Sequence, residues 1–144
     1  MRKIFKVLFI SMMMLAPISA SADVAGEETN KFDWNPVMEA IIQVESGGNR
    51  MAKNGNQVGA MQITPIAVAE CNKILKLRNS SKRYTLADRF SIEKSKEMFV
   101  LIQSFHNPTN NVEQAIRAWN GGPRYSVKKT QRYYEKVMRH LKNK

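Results

Sequence analysis

The stretch Ile41-Ile42-Gln43-Val44-Glu45-Ser46-Gly47-Gly48-Asn49 decides how this chain is read, because it ends an apolar helix face on a carboxylate and two glycines. Upstream, Asn35 is placed to cap the helix and Pro36 fits its first turn. Val37, Ala40, Ile41 and Val44 recur at helical spacing, so one face is buried. Gly47-Gly48 stops the helix and leaves Glu45 and Ser46 in its last turn, where side chains project past a packed core into a cleft. Glu45 is the only carboxylate between Glu39 and Glu70. A carboxyl group in partly apolar surroundings has its pKa raised, because desolvation disfavours the anion. It can then hold a proton and donate it to a leaving oxygen. On residue type alone, an ordinary exposed glutamate near a helix end is the commoner case.

Beyond this helix, residues 47–58 are dense in Gly and Asn, which rules out a helix and permits a small hairpin or irregular β excursion. Thr64-Pro65 then reads as the cap and first turn of a second helix reaching Leu75 or Leu77. Residues 78–87 are polar and basic and read as a surface loop. Ser91 caps a third helix with the apolar set Met98, Leu101, Ile102 and Phe105, ended by Asn107-Pro108. A fourth starts near Asn111, with Gln114 in capping-box register, and ends at Gly121-Gly122-Pro123. The last starts near Ser126 or Val127 and carries Tyr133, Tyr134, Val137, Met138 and Leu141. The fold class is therefore mainly α: a single compact helical domain with a small glycine-rich β/loop excursion after the first helix.

The N-terminus reads as an export signal. MRKIFK is followed by the apolar run Val7 to Ile18 and the small residues Ala20-Ser21-Ala22. That run is short of the roughly 20 residues a spanning helix needs, so cleavage after Ala22 is predicted and no stable membrane span. Residues 23–33 form a short leader and 34–144 the domain. The 122 residues after the cut suffice for one core and not two. Cys71 is the only cysteine, so the exported chain has no internal disulfide and the thiol reads as a buried small hydrophobe. After the cut, 20 basic residues face 12 acids, a net charge of +8. An anionic partner fits that charge, as does a solvated basic face; export weights the former toward wall polymers or anionic lipid rather than nucleic acid.

Spacing for metal chemistry is missing, with one cysteine and two distant histidines, His106 and His140. Serine-hydrolase spacing is missing too. No metal or other cofactor is expected, and carboxylate chemistry is left.

Four stretches in order carry a resemblance: Ile41 to Asn49, then Gly59-Ala60-Met61-Gln62-Ile63-Thr64-Pro65, then Ala118-Trp119-Asn120-Gly121-Gly122, then Thr130 and Tyr133 with Val137. Together they resemble the soluble-lytic-transglycosylase-like (SLT) family of lysozyme-fold enzymes over about residues 34 to 141. The resemblance implies an α+β lysozyme-like fold, peptidoglycan glycan strands as the partner, and Glu45 as catalytic acid/base. It also implies substrate contacts at Ser46, Met61, Gln62, Trp119 and Asn120, with the Tyr133 hydroxyl reaching the glutamate. By residue type, Met61 and Trp119 read equally as core, and Tyr133 lies on an apolar helix face. The chain departs from the family at Trp119, where a tyrosine is usual, and in having no matching serine before the Gly59 segment, so that Asn54 or Gln57 would have to serve.

What the resemblance implies mechanistically is a non-hydrolytic cut between N-acetylmuramic acid and N-acetylglucosamine that leaves a 1,6-anhydro end. The alternatives are a lysozyme-type hydrolase with Glu70 or Asp88 as second carboxylate, a non-catalytic glycan-binding component, and cationic disruption by the basic C-terminal segment. The expected location is periplasmic or secreted and the expected state a monomer. Wall turnover, phage lysis and service to a secretion or conjugation machine are equally open as roles.

Overall fold

Helix α1 runs Asn35–Ser46 and its start differs by one residue from the sequence expectation. Trp34, not Asn35, holds the cap position, with no side-chain cap bond. Asp33 serves instead: its Oδ1 accepts the Asn35 N–H at 2.9 Å. The cause is burial of the Trp34 indole, which packs edge-on against Phe99 at 5.6 Å and draws the helix start inward. At the other end Gly47 takes the left-handed conformation, φ 59°, and its N–H returns to the Gln43 carbonyl. These features belong to a computed structural model that describes residues 31–143; the predicted signal peptide and most of the leader lie outside the described residues.

The glycine-rich excursion is a minimal hairpin. Strands β1 (Lys53–Asn54) and β2 (Gln57–Val58) pair antiparallel, with Lys53 opposite Val58, and Val58 bridges on to Ile63. Helix α2 spans Pro65–Leu77 and is capped by Thr64, whose hydroxyl accepts the Ala67 N–H at 3.2 Å. The segment after it is not all loop as expected. A 3-10 helix forms over Leu86–Phe90, because the Asp88 carboxylate turns back to accept the Thr85 N–H at 2.7 Å.

Helix α3 (Ile92–His106) is capped by Ser91, as its sequence predicts. Its deepest face is different: Ser95, Met98, Phe99 and Gln103 are buried while Phe105 is exposed. The run Met98 to Ile102 is apolar without a break, so periodicity alone could not fix which side points inward. Helix α4 (Val112–Gly121) takes its cap from Asn111, which accepts the Gln114 N–H at 2.9 Å. The expected reciprocal bond is not made, because Gln114 donates instead to the His106 carbonyl at 3.2 Å. Helix α5 (Val127–Lys142) starts at a Ser126 cap.

Helix α5 packs on both α1 and α4, α2 packs on α3, and α4 also meets α1. Their shared core holds Ile41, Met61, Ile63, Met98, Phe99, Ile116 and Val137, with Cys71 among them as the small buried hydrophobe expected. Phe99 lies between two indoles, 5.6 Å from Trp34 and 5.0 Å from Trp119. The result is a mainly α, lysozyme-like domain. Among the described residues no helix is long and apolar enough to cross a membrane.

Candidate active site

Glu45 reaches its position because α1 has one turn left after its last deeply buried residue, Ile42, before Gly47 ends it. The carboxylate is largely desolvated, and burial pushes its pKa above the ordinary carboxylate range. One contact works in the opposite direction. The Tyr133 hydroxyl donates to Glu45 Oε1 at 2.7 Å across 88 residues of chain, and this bond favours the anion. Burial, the Glu45 charge and the bond itself all raise the tyrosine's own pKa, so Tyr133 remains a donor. No other carboxylate among the described residues contributes to the Glu45 shift.

The segment from Gly59 to Gln62 is anchored directly beside this pair. Ser46 Oγ donates to the Ala60 carbonyl at 2.8 Å, and Trp119 Nε1 donates to the Met61 carbonyl at 3.1 Å. Gln62 has φ 53°, and its Nε2 donates to the carbonyls of Gly59 at 2.9 Å and Ala52 at 3.2 Å. Gly59 itself has φ 83°, and a β-carbon there would stand 1.8 Å from the Arg89 carbonyl oxygen. Only glycine allows this approach.

A cavity of about 1080 Å³ opens between α2, α3 and α4. Gln62, Trp119 and Asn120 line it, so three of the expected substrate residues meet on one cleft. Met61 does not join them. Its side chain is fully buried in the core, and only its carbonyl serves the site, through Trp119; an apolar residue flanked by the tethered Ala60 and Gln62 turns inward. Ser46 is likewise spent on the Ala60 carbonyl rather than facing the cavity. The serine that is missing before Gly59 leaves Gln57 on the cavity wall, while Asn54 is exposed on β1.

Two buried arginines that the sequence reading passed over hold these parts together. Arg117 donates to Glu113 Oε1 at 2.7 Å, to Gln131 Oε1 at 2.8 Å, and to the Val127 carbonyl and Thr130 Oγ1 at 3.1 and 3.2 Å. Its guanidinium also lies 4.3 Å from the Tyr134 ring centroid. It therefore fixes α5, which carries Tyr133, against α4. Arg89 donates to the carbonyls of Asn56, Ile63 and Leu86 and so clamps the hairpin to the 3-10 helix. The Glu113–Arg117 spacing of four on a helix was the available sign for the first; the second had none, since its partners are all backbone.

The Cys71 thiol is fully buried and pushed up to about 12, first by burial and then by the Glu70 charge, so no thiolate nucleophile is present at neutral pH. No three His, Cys, Asp or Glu side chains among the described residues gather into a metal-ligand set.

The fold is a lysozyme-like helical domain with a buried, tyrosine-held glutamate, and with a cavity lined by Gln62, Trp119 and Asn120 but not by that glutamate. The Transglycosylase SLT domain model matches residues 24–141, and the chain belongs to that family, whose general activity is lytic cleavage of peptidoglycan glycan strands. No curated protein and no solved structure matches the chain.

Proposed function

We propose that this chain is a peptidoglycan lytic transglycosylase that cuts the β-1,4 bond between N-acetylmuramic acid and N-acetylglucosamine without water. The observation that carries this reading is the isolated, desolvated Glu45 with the Tyr133 hydroxyl on one of its oxygens. Protonated Glu45 gives its proton to the glycosidic oxygen as the C1–O bond breaks, and the substrate's acetamido oxygen closes on the anomeric carbon. Glu45, now the anion held by Tyr133, removes the proton of the muramyl 6-hydroxyl. That oxygen then attacks C1, displaces the acetamido group, and leaves a 1,6-anhydro ring with Glu45 protonated again. One carboxyl performs both transfers.

A hydrolase of the two-carboxylate kind needs a second acid within several ångströms of the first. Both candidates have other work: Glu70 is bound to His106, and Asp88 closes the 3-10 helix. In the cleft, Trp119 supplies an apolar face to a sugar ring, and Gln62 and Asn120 supply polar atoms to acetamido and hydroxyl groups. Ser46, Met61 and Tyr133 support the site from behind. Export by the predicted signal peptide places the enzyme in the periplasm or outside the cell, as a monomer on wall glycan. Service to wall turnover, phage lysis, or a secretion or conjugation machine fits such an enzyme equally.

The test is turnover of purified peptidoglycan by the wild-type protein and by Glu45→Gln, with pelleting on insoluble wall as the binding readout. Loss of cleavage with retained pelleting is expected. Equal lysis by both proteins would point instead to cationic disruption and remove Glu45 from the mechanism.

A further inference from the structure

Helix α5 carries most of its charge on the face turned away from the domain. Among its 16 residues six are Lys or Arg and one is an acid. Lys128, Lys129, Arg132, Lys136, Arg139 and Lys142 are all exposed. At about 100° per residue they fall within about 140° of the helix circumference, over roughly 21 Å of its length. Thr130 and Val137, its buried residues, lie on the opposite side. None of the six cations is in an ion pair among the described residues. The one acid of the helix, Glu135, accepts from Gln131 Nε2 at 2.8 Å instead.

Folding does not account for this stripe. Lys128 and Lys129 stand in the first turn, where the helix dipole disfavours cations, and no acid accompanies them there. Lys128, Arg132 and Lys136 follow one another at intervals of four, and like charges at that spacing repel. The stripe therefore lowers the stability of its own helix, and an anionic surface laid along it removes the repulsion.

The residues around the stripe select among anionic surfaces. A protein interface has an apolar or aromatic centre and is depleted in Lys. Here four of the six cations are Lys, and Val127, the one strongly exposed apolar residue of α5, lies off the stripe. Nucleic acid is set aside by the export proposed above. Along one edge of the stripe runs a shallow groove of about 390 Å³, with half-buried Tyr134 and Met138 and exposed Arg139 and Lys142 among its walls. Cations beside an apolar strip match a phospholipid, whose phosphate is joined through glycerol to acyl chains, whereas a wall polyanion is polar throughout.

We propose that α5 docks this protein on the surface of an anionic phospholipid bilayer. The six cations meet headgroup phosphates, and the groove at Tyr134 and Met138 takes the glycerol and upper methylenes of one lipid. No residue of the stripe lines the cavity between α2, α3 and α4, so a docked molecule still admits a ligand there.

The experiment is co-sedimentation with vesicles of mixed phosphatidylglycerol and phosphatidylcholine, and with vesicles of phosphatidylcholine alone. The chain is used from Asp23 onward, so that the apolar run of the predicted signal does not itself enter the bilayer. Binding to the mixed vesicles that fades with added salt, and none to the neutral ones, is expected; equal binding to both overturns the proposal. Lys128→Gln, Arg132→Gln and Lys136→Gln combined should weaken binding about 100-fold, at about fivefold for each cation near an anionic surface. Removing as many exposed cations elsewhere, by Arg50→Gln, Lys53→Gln and Lys76→Gln, should weaken it by less than about fivefold in all. An α5 variant that binds like wild type, or a control variant that loses as much as the α5 variant, sinks the assignment. A soluble glycerol-phosphate polymer at equal phosphate should leave the protein on the vesicles; displacement by it would give the stripe to a wall polyanion instead. The α5 variant relieves like-charge repulsion, so its melting temperature should be no lower than that of wild type. A lower one would contradict the cost assigned to the stripe, and the lipid and salt comparisons on wild type stand without it.

Discussion

Replacing Tyr133 with Phe removes one oxygen from the site and leaves the aromatic ring packed where it is. The lost contact is the 2.7 Å bond to Glu45 Oε1. A hydrogen bond to a charged group contributes about 1.5–3 kcal/mol, and each 1.36 kcal/mol is tenfold in rate. In the proposed mechanism Glu45 turns anionic as the glycosidic oxygen is protonated, so the bond strengthens toward the transition state. We therefore expect kcat to fall roughly 10- to 100-fold, with less change in KM. The pH profile gives an independent sign. The tyrosine bond lowers the Glu45 pKa against the larger upward push of burial. Without it the pKa rises further. Cleavage needs protonated Glu45 at the first step, so activity is lost as pH rises through that pKa, and the alkaline limb should move to higher pH in the variant. The assay is release of soluble muropeptides across a pH series at saturating substrate. A variant with wild-type kcat, or with its alkaline limb shifted to lower pH, would refute the assigned role of Tyr133.

Three further outcomes follow from the same geometry. Glu45 binds its proton more tightly folded than unfolded, so the native state loses stability as pH rises from the unfolded value through the raised one; Glu45→Gln should be more stable than wild type by about 0.5–2 kcal/mol at neutral pH and lose that advantage on acidification, as read by urea melts. Gly59→Ala places a β-carbon against the Arg89 carbonyl at a positive φ and should destabilise by about 3 kcal/mol or more, seen as a fall in denaturation midpoint. Arg117→Met keeps bulk but strips the bonds between α4 and α5; we expect a loss of about 2–3 kcal/mol and a lower kcat in whatever folds, since α5 carries Tyr133.

Much of this architecture was legible in the residues. Thr64, Ser91 and Asn111 all cap the helices they were expected to cap, because a short polar side chain before an apolar period has few other uses, and the last helix starts at Val127, within the expected bounds. The exception was Asn35, where a tryptophan with a place in the core overrode the local signal. The face of α3 was hidden because an unbroken apolar run has no phase. At the site, the bond from Tyr133 to Glu45 joins residues 88 positions apart, and only the ordered motifs suggested it. Met61 was misplaced because residue type does not tell a core methionine from one facing a cleft. The role of Arg89 escaped notice because its partners are all backbone oxygens, which leave no pattern in the chain, whereas Arg117 left one sign, its spacing from Glu113, and its other partners lie on α5.

The central claim is that Glu45 acts alone and that no water enters the bond it breaks. Digestion of purified glycan strands in water enriched in heavy oxygen, followed by mass analysis of the muramyl ends, tests it directly. The account predicts 1,6-anhydro ends, one water lighter than the reducing form and carrying no heavy oxygen, produced by wild type and not by Glu45→Gln. Reducing ends labelled with heavy oxygen would contradict it and would send the search back to a second carboxylate.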